Sequence, residues 1–184
     1  IVAFGNESTE IFKVVENNTG SPLQGIQETS IHIGAIGYTA ISTLEDKLAW
    51  VASSTTGSTS VYLMNEIGKA ERISTDEIDF QLTARGDTTV YLSNVKLFGK
   101  TFLFVTFGGT TYVYSIEDDM WHEWTSANAV LWHQWTANTA TSALVYTISR
   151  NTTSGKVYKF NPVIPVYTDD GTNFVFTIQT SKID

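Results

Sequence analysis

The sequence predicts an all-β protein and, within that class, a portion of a β-propeller built of repeated antiparallel blades. Composition is the first reason: Val, Ile and Thr make up nearly a third of the 184 residues, while only 16% are charged, which is a strand former's balance and not that of a coiled coil or an acidic tail. A recurring hairpin motif is the second, with an apolar run, a small polar turn and a second strand that opens on a branched or aromatic pair. Its paired positions Ile11, Val61, Val113 and Val157 stand 50, 52 and 44 residues apart, the spacing of blades. The same hairpins also fit an alternative, an ordinary β-sandwich.

The elements follow in order. Ile1-Val2-Ala3-Phe4 turns at Gly5-Asn6-Glu7-Ser8 into Ile11-Phe12. Leu48-Ala49-Trp50-Val51 returns through Ser53 to Ser58 as Val61-Tyr62, and 60–64 should pair antiparallel with 48–51. Phe102-Leu103-Phe104-Val105 turns at Gly108-Gly109 into Val113-Tyr114, so that 102–107 pairs with 111–116. Leu144-Val145-Tyr146 turns through Asn151 to Gly155 into Val157-Tyr158. Each unit leaves room for further short strands, such as Lys69 to Ile73 and Met120 to Trp124. Such sheets cannot bury both faces alone, and radial stacking supplies the missing partner. One segment reads as a short helix between blades: Ser74-x-x-Glu77 forms a capping box, and Ile78 and Leu82 share a face. The chain is therefore expected to be one propeller-like region over 1–184, with units near 1–45, 46–95, 96–140 and 141–184. The start at Ile1 without Met, and the strand-like alternation running up to Asp184, are expected of a fragment.

Charge and residue counts narrow the function. Nineteen acidic against 11 basic residues give a net charge of −8, which opposes tight binding of a polyanion. No apolar run approaches the roughly 18 residues of a helical span, so no membrane partner is expected. There is no cysteine, which excludes a disulfide framework, a thiol nucleophile and thiolate metal ligation. The sequons at Asn6, Asn17 and Asn151 are what chance provides in a Ser/Thr-rich chain.

Candidate chemical sites were weighed against packing. No Gly-x-Ser-x-Gly elbow is present, and His32, His122 and His133 stand beside no nucleophile signature. The carboxylate pairs Glu45-Asp46, Asp76-Glu77, Asp118-Asp119 and Asp169-Asp170 fall where turns or a helix start are expected, which turn chemistry explains. Gly34-Ala35-Ile36-Gly37 and Gly108-Gly109 lack the Lys-Ser/Thr of a phosphate loop and read as turns or close strand approaches. Trp121-His122-Glu123-Trp124 and Trp132-His133-Gln134-Trp135 are a near duplication. Zinc lacks a third ligand of known spacing there, and no metal or other cofactor is expected. Strand alternation sets Trp121 and Glu123 on one face and His122 and Trp124 on the other. Blade packing is the first reading; contact of Trp121, Trp124, Trp132 and Trp135 with a partner or a glycan is the alternative. A buried Trp124 ring would cost roughly 3–5 kcal/mol on truncation to Ala.

The order of motifs resembles the tail-hub, or packaged-DNA stabilisation, proteins of short-tailed bacteriophages. It is carried by Val2 to Gly5, Ser8 to Phe12, Gly34 to Tyr38, Asp46 to Val51, Ser60-Val61-Tyr62, Ile73 to Thr75 with Ile78, Tyr112 to Tyr114, Trp121 to Trp124 and Ile178 to Asp184. The resemblance implies a non-enzymatic virion component with a propeller-like body, a ring beneath the portal that closes the head. Its implied partners are the portal or adaptor, the plug or needle, and the tail spike or fibre. It carries over no catalytic residue, and segments found in similar proteins before Ile1 and after Asp184 are absent from this sequence. The rival function is a carbohydrate-binding or carbohydrate-active propeller.

Overall fold

The computed structural model describes residues 1–17, 19–26, 29–44, 46–53, 57–85, 89–127, 132–134, 139–143, 146–150, 155–160, 168–169 and 172–173, with side-chain surroundings within 1–125 and 155–159. Its strands form successive antiparallel meanders. The first sheet holds β1 (Val2–Phe4), β2 (Thr9–Val14) and β3 (Leu23–Gly25). The second holds β4 (Ile41–Leu44), β5 (Lys47–Ser53), β6 (Thr59–Glu66) and β7 (Lys69–Arg72). A helix, α1 (Asp76–Ala84), leads to the third, of β8 (Tyr91–Leu97), β9 (Lys100–Phe107), β10 (Thr110–Ser115), β11 (Met120–Ala127) and β12 (Trp132–Gln134). The fourth contains β13 (Thr139–Ala143), β14 (Tyr146–Arg150) and β15 (Val157–Phe160), and β16 (Thr168–Asp169) pairs with β17 (Thr172–Asn173).

The two central hairpins form between the expected segments: Leu48 faces Met64 and Val51 faces Val61, while Phe102 faces Ser115 and Phe107 faces Thr110, so that the second strand of that hairpin is paired over 110–115 and not 111–116. They lie in different sheets. Alternation along β5 sends Trp50 and Ala52 to the layer shared with the first sheet, where Ile11, Ile31 and Ala35 are buried. It sends Ala49 and Val51 to the layer shared with α1 and the third sheet, where they meet Ile78, Leu82, Leu103, Val105 and Phe107. On the far face of the third sheet Val95, Phe104 and Val113 form a further buried layer. The centre of the second sheet is thus buried on both faces. A two-layer sandwich would leave each sheet one wet face, whereas blade stacking buries both.

The first strands of the second to fourth sheets lie side by side, β4 against β8 and β8 against β13, as blades fanning from one axis require. Asn94 on β8 ties two blades there: its amide nitrogen donates to Ser42 Oγ at 3.0 Å and to the Thr43 carbonyl at 2.7 Å. The glycines predicted as turns or close approaches are both. Gly108 and Gly109 turn β9 into β10 with φ of 51° and 89°, where a side chain is strained. A Cβ on Gly34 would stand 2.2 Å from the Gly5 carbonyl oxygen, so the loop after β3 can lie on the β1–β2 turn only as glycine.

The helix forms where its sequence pattern places it, with Ile78 and Leu82 buried, but the cap is displaced by one residue. Thr75 is the N-cap, its Oγ1 accepting the Ile78 N–H at 3.4 Å. The expected cap, Ser74, points inward instead: its Oγ accepts the Val61 N–H at 2.9 Å and donates to Asp79 Oδ1. Ser60 donates to Asp79 Oδ2 at 2.7 Å, and Arg72 reaches the same oxygen at 2.9 Å and Asp76 at 3.0 Å. A buried serine and carboxylate in place of a capping box fasten the helix to β6.

Candidate functional site

The tryptophans singled out in the sequence do not share one face. Trp121 packs on Tyr114, ring centroids 5.1 Å apart, and its indole N–H donates to the Ile73 carbonyl at 2.7 Å across to the second sheet. Trp124 packs on the opposite face against Phe102 and Phe104, the latter edge-on at 5.2 Å. Both are half-buried, so the two rings do not form a joint platform. Trp132 lies on β12, of which the backbone alone is described, and Trp135 lies outside the described residues. Because Trp124 keeps part of its ring in water, Trp124→Ala is expected to cost about 2–3 kcal/mol, less than the figure for a fully buried ring. Urea unfolding of the two proteins measures the difference, and added zinc should leave the melting temperature of the parent unchanged.

The carboxylates stand where turn chemistry puts them. Asp46 lies in the β4–β5 turn with Glu45 outside the described residues; Asp76 and Glu77 open α1, where they complement the helix dipole. Asp169 closes against Thr172 in the last hairpin, residues 170–171 being outside the description. In the β10–β11 turn, Asp119 adopts a φ of 53° and accepts the Tyr114 hydroxyl at 2.6 Å. Burial, together with that carboxylate, holds the Tyr114 phenol far above its ordinary range, so it serves as a fixed donor and not as a titrating group. Neighbouring Asp118 is held below the usual carboxylate range by hydrogen bonds from Lys100 and Ser115, each at 2.7 Å. Among the described residues no group of three His, Asp or Glu could hold a metal ion.

Three clefts open between these elements. One of about 300 Å³ lies between the second and third sheets, lined by Lys47, Asn65, Glu71, Arg72, Tyr114 and Asp119 among others. A second lies beside α1 around Arg72, Asp76, Asp79 and Phe80. A third, of about 330 Å³, lies between the first and second sheets, with Asn6, Glu7, His32, Ile33, Ala52, Ser53 and Tyr62 on its walls. Its residues come from four separate stretches of chain. Asn6 and Glu7 read in the sequence only as a turn, and His32 only as a histidine without a nucleophile.

Blade stacking, a second sheet whose centre is buried on both faces, and linked first strands describe a propeller portion, and the family comparison agrees: the model of Phage_stabilise, bacteriophage P22 Gp10, beta-propeller, matches residues 1–164. The chain belongs to this family. Among individually curated proteins no match is found. Among the described residues, no helix of this Gp10-family chain is long and apolar enough to cross a membrane.

Proposed function

We propose that this Gp10-family chain is a structural component of the phage tail hub at the head-to-tail junction. It closes the portal exit after packaging, retains the DNA mechanically and docks further tail components, namely the portal or adaptor, the plug or needle and the spike or fibre. In the virion it acts as a homo-oligomeric ring and not as an enzyme. The observation that carries this reading is the family match over residues 1–164. The packing supports it, since stacked blades with internally satisfied polar clusters make a stiff scaffold.

Retention without affinity for the polymer is supported by the acidic balance of the chain and by the local engagement of four of its 11 basic side chains. Lys69 pairs with Glu66, Arg72 with Asp76 and Asp79, Lys100 with Asp118, and Arg85 donates to the Gly108 carbonyl. With a net charge of −8 besides, an acidic wall lets a polyanion pass. The test has two arms. Phage lacking the chain should fill heads and then lose their DNA, and supplying the protein should restore stable particles; full heads that stay full without it would refute the role. Duplex DNA titrated by fluorescence anisotropy should show no submicromolar binding near physiological salt, and tight binding that falls steeply with salt would refute mechanical retention.

A further inference from the structure

We propose that the cleft between the first and second sheets binds a saccharide unit, a site independent of the tryptophan repeats and of the head-closing role. What separates this cleft from the other two is that polar side chains with no bond to a described residue stand there beside an accessible apolar wall. In the cleft beside α1, Arg72, Asp76 and Asp79 bond to one another; between the second and third sheets Lys47, Asn65 and Glu71 carry no such bond, but Asp119 holds Tyr114, Arg72 is taken by Asp76 and Asp79, and almost no apolar surface is accessible. By contrast, Asn6, Glu7, His32 and Ser53 converge on one opening, and none has a side-chain hydrogen bond or ion pair with another described residue. Amide, carboxylate, imidazole and hydroxyl together offer both donors and acceptors. Beside them Ile33, Ala52 and the Tyr62 ring supply an apolar wall. A pyranose has the matching character, hydroxyls around its rim and C–H groups on its faces. The volume of about 330 Å³ falls at the low end of small-ligand sites.

The walls are held in place before any ligand arrives. Tyr62 is stacked on Trp50, ring centroids 6.0 Å apart and planes 25° apart, and Trp50 is fully buried. The turn that carries Asn6 and Glu7 is closed by Gly5 N–H to the Ser8 carbonyl at 2.8 Å. It is fastened to the His32 segment by Ala35 N–H to the Gly5 carbonyl at 2.9 Å and by Thr9 Oγ1 to the Ile33 carbonyl at 2.7 Å. The backbone and the aromatic wall are thus preorganised, and the cost of binding falls on ordering the exposed polar side chains. Among the described residues no Lys or Arg lines it and Glu7 does, which disfavours phosphate-bearing ligands.

The experiment is saturation-transfer NMR on the full chain with the methyl glycosides of glucose, galactose, mannose and N-acetylglucosamine at millimolar concentration. Transfer to the ring C–H protons of at least one is expected. Glu7→Gln should weaken it at least about tenfold, the loss that goes with one hydrogen bond to a charged group, and His32→Ala should weaken it about fivefold, the loss of a neutral one. Both positions are exposed, so melting temperature should not move. Asn65→Ala, in the neighbouring cleft, should leave binding intact. Absence of transfer from all four, transfer that survives both substitutions, or preferential binding of a lysine-containing peptide would overturn the proposal. None of these outcomes bears on DNA retention by particles.

Discussion

Trp50→Ala is expected to destabilise the protein by about 3–5 kcal/mol, the range for deleting a large buried ring, and a loss of that size is a large share of a domain's usual margin. Trp50 has no exposed surface and sits where the first two sheets meet, tilted on Phe4 at 5.4 Å and stacked on Tyr62. Removal opens a cavity in the interface between blades and not within one. Its indole nitrogen is buried with no hydrogen-bond partner among the described residues, so part of the ring's packing energy is spent on desolvating that N–H. Trp50→Phe removes the costly donor together with part of the ring and should therefore lose only about 1–2 kcal/mol. Chemical unfolding of the three proteins decides the matter, and near-equal stability of parent and Trp50→Ala would mean that the two sheets do not pack as described.

The second large effect is expected at Asp79. Its carboxylate accepts from Ser60, Ser74 and Arg72, and its side chain is 8% exposed while that of Arg72 is 49% exposed. Asp79→Ala strands two buried hydroxyls and should cost about 2–4 kcal/mol, mostly through the serines. Arg72→Ala should cost less, about 1 kcal/mol, because the ion pair it removes is half-exposed and the Asp79 carboxylate keeps the Ser60 and Ser74 hydroxyls as donors. A double-mutant cycle between the positions separates the terms. If Arg72→Ala proved as damaging as Asp79→Ala, the ion pair and not the serine bridge would be what fastens the helix.

The hairpins were legible because their information is local: an alternating run, a glycine turn and a second run place β5 with β6 and β9 with β10 without reference to anything distant. Opposite faces for Trp121 and Trp124 followed from the same period of two. The innermost strands were harder. Tyr91–Leu97 carries Ser93 and Asn94 in its middle, which weakens an apolar alternation, and the reason for Asn94 is a backbone carbonyl some fifty residues away. Ser74 deceived for a related reason: a serine three residues before a glutamate is a cap by local rules, but β6 and Asp79 compete for its hydroxyl and Thr75 stands ready to replace it. The cleft near His32 had no signal at all, since turns, loop and two strands contribute one or two residues each.

In the second and third sheets each strand pairs with its neighbour in sequence, and connections as short as the two-residue turns Ile67-Gly68 and Phe98-Gly99 close the hairpins. Most backbone pairing is therefore of low contact order and can be completed as the nascent chain leaves the ribosome, one blade after another. Side-chain burial lags behind it. When β7 has just formed, Ala49, Val51, Val61 and Leu63 face water until α1 and the third sheet arrive to cover them. The interval of greatest danger from aggregation thus falls between the second and third sheets. Thr75 and the acidic first turn of α1, by starting the helix early, shorten it.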